Sequence, residues 1–153
     1  MNLIFLMRIS LGLLLFIAGI LKAHDGTIAT ITSIAGYRIL PAFIVGPLGI
    51  VLPWIEMLLG SYLILGLFTT IISLIISGQF LIFSIAVASL VIRNIPVDCG
   101  CFGSSVPTPP SWGHVAADVA LMFLALLIAF VGPGRFALDT KLSPKKIKEI
   151  KNN

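Results

Sequence analysis

Two cysteines separated by a single glycine, in Val97-Asp98-Cys99-Gly100-Cys101-Phe102-Gly103, are the residues of this sequence best suited to chemistry, and the chain has no others. Residues two apart can bring their Cα atoms into the upper part of the disulfide window of roughly 4.4 to 6.8 Å, and an intervening glycine widens the backbone choices that allow it. A bridge across one residue closes almost no loop, so it has little stabilising value in the chain-entropy view. The ring it forms is strained, and strained, exposed disulfides have raised reduction potentials and exchange readily. Redox exchange is therefore the leading reading of Cys99 and Cys101. Metal binding is a second reading. Copper(I) suits thiolates, whereas zinc would have to take the irregular set Cys99, Cys101, His114 and Asp98, and no metal is assigned. A passive cysteine pair is the third.

A thiol used for exchange must ionise near neutral pH, which requires positive charge or a helix N-terminus nearby. Lys22 and Arg93 are expected at the level of the motif, Asp98 adjoins it, and His114 falls in the first turn of the helix that follows. Each also has an ordinary reading: the two cations as snorkelling side chains, His114 as a polar interfacial residue. Asp118, one turn further along, is expected to pair with Lys22 or Arg93.

Three more polar residues interrupt apolar runs: Arg8, Glu56 and Gln79. With a 1.5 Å rise per residue, Glu56 lies roughly 17 Å and Gln79 roughly 15 Å from one end of their helices, so the two are expected to meet across neighbouring helices. Arg8 starts only about 8 Å from that end and would have to extend upward to reach Glu56. An intramembrane carboxylate is costly unless paired or protonated. Two roles fit: a buried Glu-Gln-Arg network that aligns helices, or proton handling with contact to a quinone.

These residues must be positioned by helices. The sequence is 58% hydrophobic and only 10% charged, far below the roughly 25% charged residues of soluble domains, so lipid is the expected solvent. Apolar runs cover Leu3 to Leu21, Gly46 to Leu67, Ile71 to Ile92 and Val115 to Val131. The first is read as a retained helix, since no basic residue precedes it and no A-x-A cleavage pattern follows. Pro47 and Pro53 predict a bent start to the second. Gly66 to Thr70 is expected to turn the chain, with Ser111 as N-cap of the fourth run and Gly132-Pro133-Gly134 ending it. Gly12 and Gly19 share the Arg8 face, and Gly49, Pro53 and Gly60 share the Glu56 face. Such small residues mark helix contacts. Thr27 to Leu40 reads equally as an interfacial helix or a packed surface loop.

The expected architecture is an all-α, four-helix transmembrane bundle over residues 1–135, followed by a basic tail over 136–153. Five of the ten basic residues are Lys141, Lys145, Lys146, Lys148 and Lys151, a cluster suited to an anionic membrane surface rather than to nucleic acid. With Arg135 they outweigh Lys22, Arg38 and Arg93 on the opposite side. The positive-inside rule then places both termini in the cytoplasm and the cysteine motif outside.

Gly12 through Lys22, the Pro53-x-x-Glu56-x-x-x-Gly60 segment, Cys99-Gly100-Cys101-Phe102-Gly103 and the following Trp112 resemble the methylamine-utilisation MauE family, within the broader DoxX-like group of membrane proteins. The likeness spans nearly the whole chain. It implies a bacterial-type cytoplasmic-membrane protein tied to extracytoplasmic thiol–disulfide chemistry, with Cys99 and Cys101 as the redox pair and a thioredoxin-like partner. Since no second cysteine pair relays electrons, the other half-reaction would need a quinone near Glu56 and Gln79, or a second protein. The rival readings are a membrane binding or transport protein for copper or a small molecule, and a non-catalytic assembly factor for a periplasmic enzyme.

Overall fold

Four long apolar stretches of this chain become four long helices in the computed structural model, which describes residues 3–101, 103, 109–132, 134 and 137–139. They are α1 (Leu3–Asp25), α3 (Ala42–Leu65), α4 (Thr69–Ile92) and α5 (Trp112–Val131), with a short α2 (Thr27–Gly36) between the first two. Each of the four has 20 to 24 residues, roughly 30 to 36 Å, and is long and apolar enough to cross a bilayer. The described residues form no strand. Arg135, Phe102 and the tail lysines lie outside the described residues.

Every span is longer than the apolar run that predicts it. α1 continues through Lys22 and His24 to Asp25, α4 takes in Thr69 and Thr70, and α5 starts at Trp112, whereas α3 gains the apolar Ala42 to Val45 directly after Pro41 and ends at Leu65. The segment expected as Thr27 to Leu40 is helical only to Gly36; Arg38 then adopts φ 51°, which an α-helix cannot accommodate. Pro47 and Pro53 lie within α3 without ending it. The α3–α4 turn has a specific chemistry. Gly66 takes the left-handed conformation, with Leu67 N–H bonding Tyr62 C=O and Gly66 N–H bonding Leu63 C=O. α4 brings no capping side chain of its own, and the Asp139 carboxylate accepts from the Phe68 and Thr69 N–H groups instead, each at 2.8 Å.

The bundle is built as two tight helix pairs, α1 on α3 and α4 on α5, with little direct contact between α3 and α4. Small residues set the first pair. A Cβ on Gly60 would lie 2.6 Å from the Gly12 carbonyl oxygen, and one on Gly19 would lie 2.7 Å from the Pro53 carbonyl oxygen, so both backbones approach where only hydrogen fits. In the second pair Ser73, Ser77 and Ser84 of α4 are buried, as are Ala125 and Ala129 of α5. Leu15, Leu59, Leu63, Ile76, Phe80 and Ile128 fill the space where the pairs meet. Many remaining apolar side chains, Ile17, Leu58, Ile71 and Phe130 among them, face outward as a lipid-facing surface requires.

The glycine contact can be tested against a lipid-facing control. Gly60→Ala is expected to cost roughly 1–3 kcal/mol by overpacking and to lower the melting temperature in detergent. Gly78→Ala, on α4 with nothing within 4 Å of its added methyl, is expected to leave it unchanged or raise it. Equal melting temperatures for the two variants would refute the close α1–α3 approach.

Candidate functional site

The site is assembled at the end of the bundle where α1 finishes, α2 lies, α3 begins and the loop after α4 carries the cysteines. Gly100 has φ 62°, and a Cβ there would lie 2.9 Å from the Ser33 side chain on α2. Glycine is thus required twice, for its backbone conformation and for the approach of α2. The result brings the Cys99 and Cys101 sulfurs to 2.8 Å with no disulfide between them. Cys99 is buried at 3% exposure, and Cys101 is half-buried.

Tyr37, which the sequence reading missed, holds this loop. Its hydroxyl donates a short hydrogen bond to the Cys99 carbonyl, and its own carbonyl accepts from Arg93 Nη1 at 3.0 Å. Arg93 therefore anchors the loop through Tyr37. Burial, followed by the nearby sulfurs and Asp118, pushes the Tyr37 hydroxyl above its ordinary pKa, so it stays a donor. A lone tyrosine just past a short helix carries no motif. Only its position directly after Gly36, on a segment folded against the motif, could have marked it.

The Cys101 thiol is held well above the usual thiol range. The largest cause is the hydrogen bond it shares with Cys99, then burial, then the negative charge of Cys99 and Asp118, with Lys22 acting in the opposite direction. The two thiols therefore titrate as one coupled pair, and the second proton to leave it is held well above the usual thiol range.

Lys22 does not snorkel. It is 3% exposed, and its ammonium donates to both Glu56 oxygens at 2.6 and 2.7 Å, with Glu56 1% exposed. Side chains on an α-helix lean toward its N-terminus, so on antiparallel α1 and α3 Lys22 and Glu56 lean toward each other. Gln79 completes the group, donating to Glu56 from 3.3 Å, as its depth predicted. The Glu56 partner expected from α1 was Arg8, and that expectation is corrected. Arg8 lies at the opposite end, against Gly66 and Ala137 and within electrostatic reach of Asp139. Asp118 is expected to pair with Lys22 or Arg93, but Lys22 bonds Glu56, Arg93 bonds Tyr37 and buried Asp118 Oδ2 has no hydrogen-bond partner, so Lys22 reaches Asp118 only electrostatically. His114 meets Ser111 at 2.9 Å, and Asp98 is exposed.

A cavity of about 540 Å³ connects these parts. Cys99, Gly100 and Cys101 line it together with Lys22 and Gln79, and Phe83, Leu52 and Ile55 supply apolar wall. Beyond the motif, a groove of about 610 Å³ is lined by Thr32, Ser33, Asp98, Pro109 and Pro110. Ser33 borders both spaces, so the cysteine loop and α2 form the partition between them. Among the described residues no cluster of three metal-ligating side chains occurs.

A family model described as methylamine utilisation protein MauE matches residues 1–131, which include all five helices and the cysteine pair. The chain is similar to the methylamine utilization protein MauE of Methylophilus methylotrophus, 32% identical over 104 residues, covering 64% of this chain and 53% of that protein. It is 30% identical to the protein of that name from Methylorubrum extorquens over 101 residues, covering 65% and 54%. For the one from Paracoccus denitrificans the figures are 30% over 124 residues, 80% and 66%. The match thus spans from about half to two thirds of the length of these curated relatives. No solved structure matches the chain.

The shared proton makes a titration test available. A group held above its ordinary pKa forms its anion only at higher pH, and removing the cause brings the titration down. In Cys99→Ala, the pH at which Cys101 becomes reactive toward iodoacetamide is expected to fall relative to the second thiol ionisation of the native pair. An unchanged or raised midpoint would show that Cys99 does not hold the Cys101 proton.

Proposed function

This chain belongs to the methylamine utilisation protein MauE family, and on that footing we propose that it is a membrane thiol–disulfide exchange protein whose Cys99–Cys101 pair trades electrons with an extracytoplasmic thioredoxin-like protein. The reading places the chain in a bacterial-type cytoplasmic membrane, with the motif outside and both termini inside. It extends to this chain the part in methylamine utilisation carried by the names of its relatives. The observation that carries it is the sulfur pair: two thiols 2.8 Å apart and not joined in a disulfide, one buried and one half-exposed.

The asymmetry of the pair supplies the mechanism. In the direction that reduces the pair, a partner thiolate attacks Cys101 Sγ, a mixed disulfide forms, and Cys99 leaves with the electron pair as a thiolate. Cys101 is the sulfur attacked because it is half-exposed while Cys99 is buried, and access decides which sulfur an incoming thiolate reaches. The partner's second thiolate then attacks its own sulfur in the mixed disulfide. Cys101 departs and takes a proton, and the partner ends as a disulfide. The groove beside Asp98 and Pro110 gives such a partner an approach to the loop. With no second cysteine pair in the chain, the electrons pass onward to a carrier in the membrane, and a quinone is the reading adopted.

Cells expressing Cys99→Ser, quenched with acid and alkylated, are expected to accumulate a reducible mixed disulfide on Cys101; Cys101→Ser, which leaves only the buried sulfur, is expected to give much less. If neither traps a partner and both replace the native chain in growing cells, exchange is the wrong function. For orientation, a membrane-impermeant maleimide applied to intact cells after mild reduction is expected to label Cys101. Labelling that appears only after the cells are opened would reverse the topology and remove the extracytoplasmic partner.

A further inference from the structure

The cavity under the motif opens toward lipid rather than toward water. Its rim includes Ile82 and Ile85, which are 66% and 62% exposed on the outside of the bundle, and the gap lies where α3 and α4 barely touch. Whatever arrives by that route must be lipophilic. Its volume of about 540 Å³ falls in the range of small-molecule sites, roughly 300–1,000 Å³.

Polarity inside is confined and one-sided. An ammonium has three N–H donors. Two of those on Lys22 are taken by Glu56, and among the described residues no third hydrogen bond is made. The Phe83 ring, 5.4 Å from Nζ, and the Gln79 amide share that part of the wall. The neutralised pair thus leaves one strong donor for a carbonyl oxygen without exposing a net charge to the apolar space. Thr30, Ser33 and Tyr37 add hydroxyls near the motif, and the dithiol is the one part of the wall that can give up two electrons and two protons. The matching molecule carries an apolar tail, a carbonyl acceptor on its head and capacity for two electrons and two protons.

We propose, building on the exchange reading, that this cavity is the head-group site of a membrane quinone, in which Lys22 donates to one ring carbonyl and the Cys99–Cys101 dithiol reduces the ring. Two S–H bonds break and one S–S bond forms. The two electrons and two protons released convert the two ring carbonyls into hydroxyls. Lys22 passes its proton to the carbonyl it holds and regains one from the thiols, while Glu56 keeps the ammonium in place.

The test uses the full chain in phosphatidylcholine nanodiscs, reduced, freed of reductant and mixed with decylubiquinone or with a menaquinone bearing a single isoprenoid unit. Quinone absorbance and free thiols are followed together. One quinone is expected to be reduced for each pair of thiols lost. Lys22→Met with Glu56→Gln removes the donor without stranding a buried charge, and is expected to raise the half-saturating quinone concentration roughly ten- to a hundredfold. Ala86→Phe, which fills the cavity from α4, is expected to slow the reaction by at least tenfold, a barrier of about 1.4 kcal/mol. If Cys99→Ser still traps a partner while the native chain reduces neither quinone, the cavity holds lipid acyl chains, the inference fails and the exchange reading stands. If neither cysteine variant traps a partner, both replace the native chain in growing cells and no quinone is reduced, both readings fail. Native rates in both cavity variants would put the quinone reaction elsewhere and overturn the site.

Discussion

The contact between Lys22 and Glu56 constrains the rest of this molecule. A single ionised side chain in hydrocarbon costs about 2.5–3.5 kcal/mol even on the lenient insertion scales. A buried pair recovers that cost only when its geometry is good and its partners remain together. Here one ammonium donates to both carboxylate oxygens, one of which also accepts from a neighbouring amide, so the pair specifies an arrangement more than it contributes net stability. Only one register of α1 against α3 neutralises both charges. The same register places Gly12 against Gly60 and Gly19 against Pro53, where no larger residue fits. Electrostatics and packing therefore select the same alignment, and that alignment sets the floor of the cavity beneath the cysteines.

The cysteine pair depends on this arrangement at one remove. α2 is fixed by α3 through Gly49, where Ile31 occupies the space of a side chain, and Ser33 on α2 in turn approaches Gly100. Tyr37, at the end of the same short helix, bonds the Cys99 carbonyl and receives Arg93. The two sulfurs thus inherit different surroundings from a nearly symmetric motif. One is buried and the other is half-exposed at the surface of the loop. Division of labour between chemically identical residues comes entirely from the protein around them.

Much of this was legible in the sequence, for definite reasons. Span positions follow from hydropathy, because only helices bury their own backbone polarity in lipid, and the Cys-Gly-Cys string has few structural uses. The Gln79–Glu56 contact followed from counting residues along two helices. Lys22 was misjudged because a lysine near a helix end usually snorkels; the rule that side chains lean toward their own helix N-terminus, applied to α1 and α3 together, points it inward instead. An Arg8–Glu56 contact stayed open in the sequence because depth along a helix says nothing of which neighbour lies beside it, and the surroundings of Arg8 include residues after α5, far away in sequence. Tyr37 was invisible since its role depends on a long-range meeting of loops. The family to which the chain belongs agrees with the resemblance carried by the motif, and its match stops at the end of the last membrane helix.

One detail of the α3–α4 turn bears on how the protein is made. The first amides of α4 are satisfied by Asp139, seventy residues further along the chain than Thr69. During synthesis α4 therefore inserts with its leading turn unfinished and waits for α5 to cross and for the following segment to arrive. Completion of the bundle is signalled by the last part of the core to leave the ribosome. A chain cut short after its final span would lack that clasp, leaving a frayed helix start that quality control can read as an unfinished product.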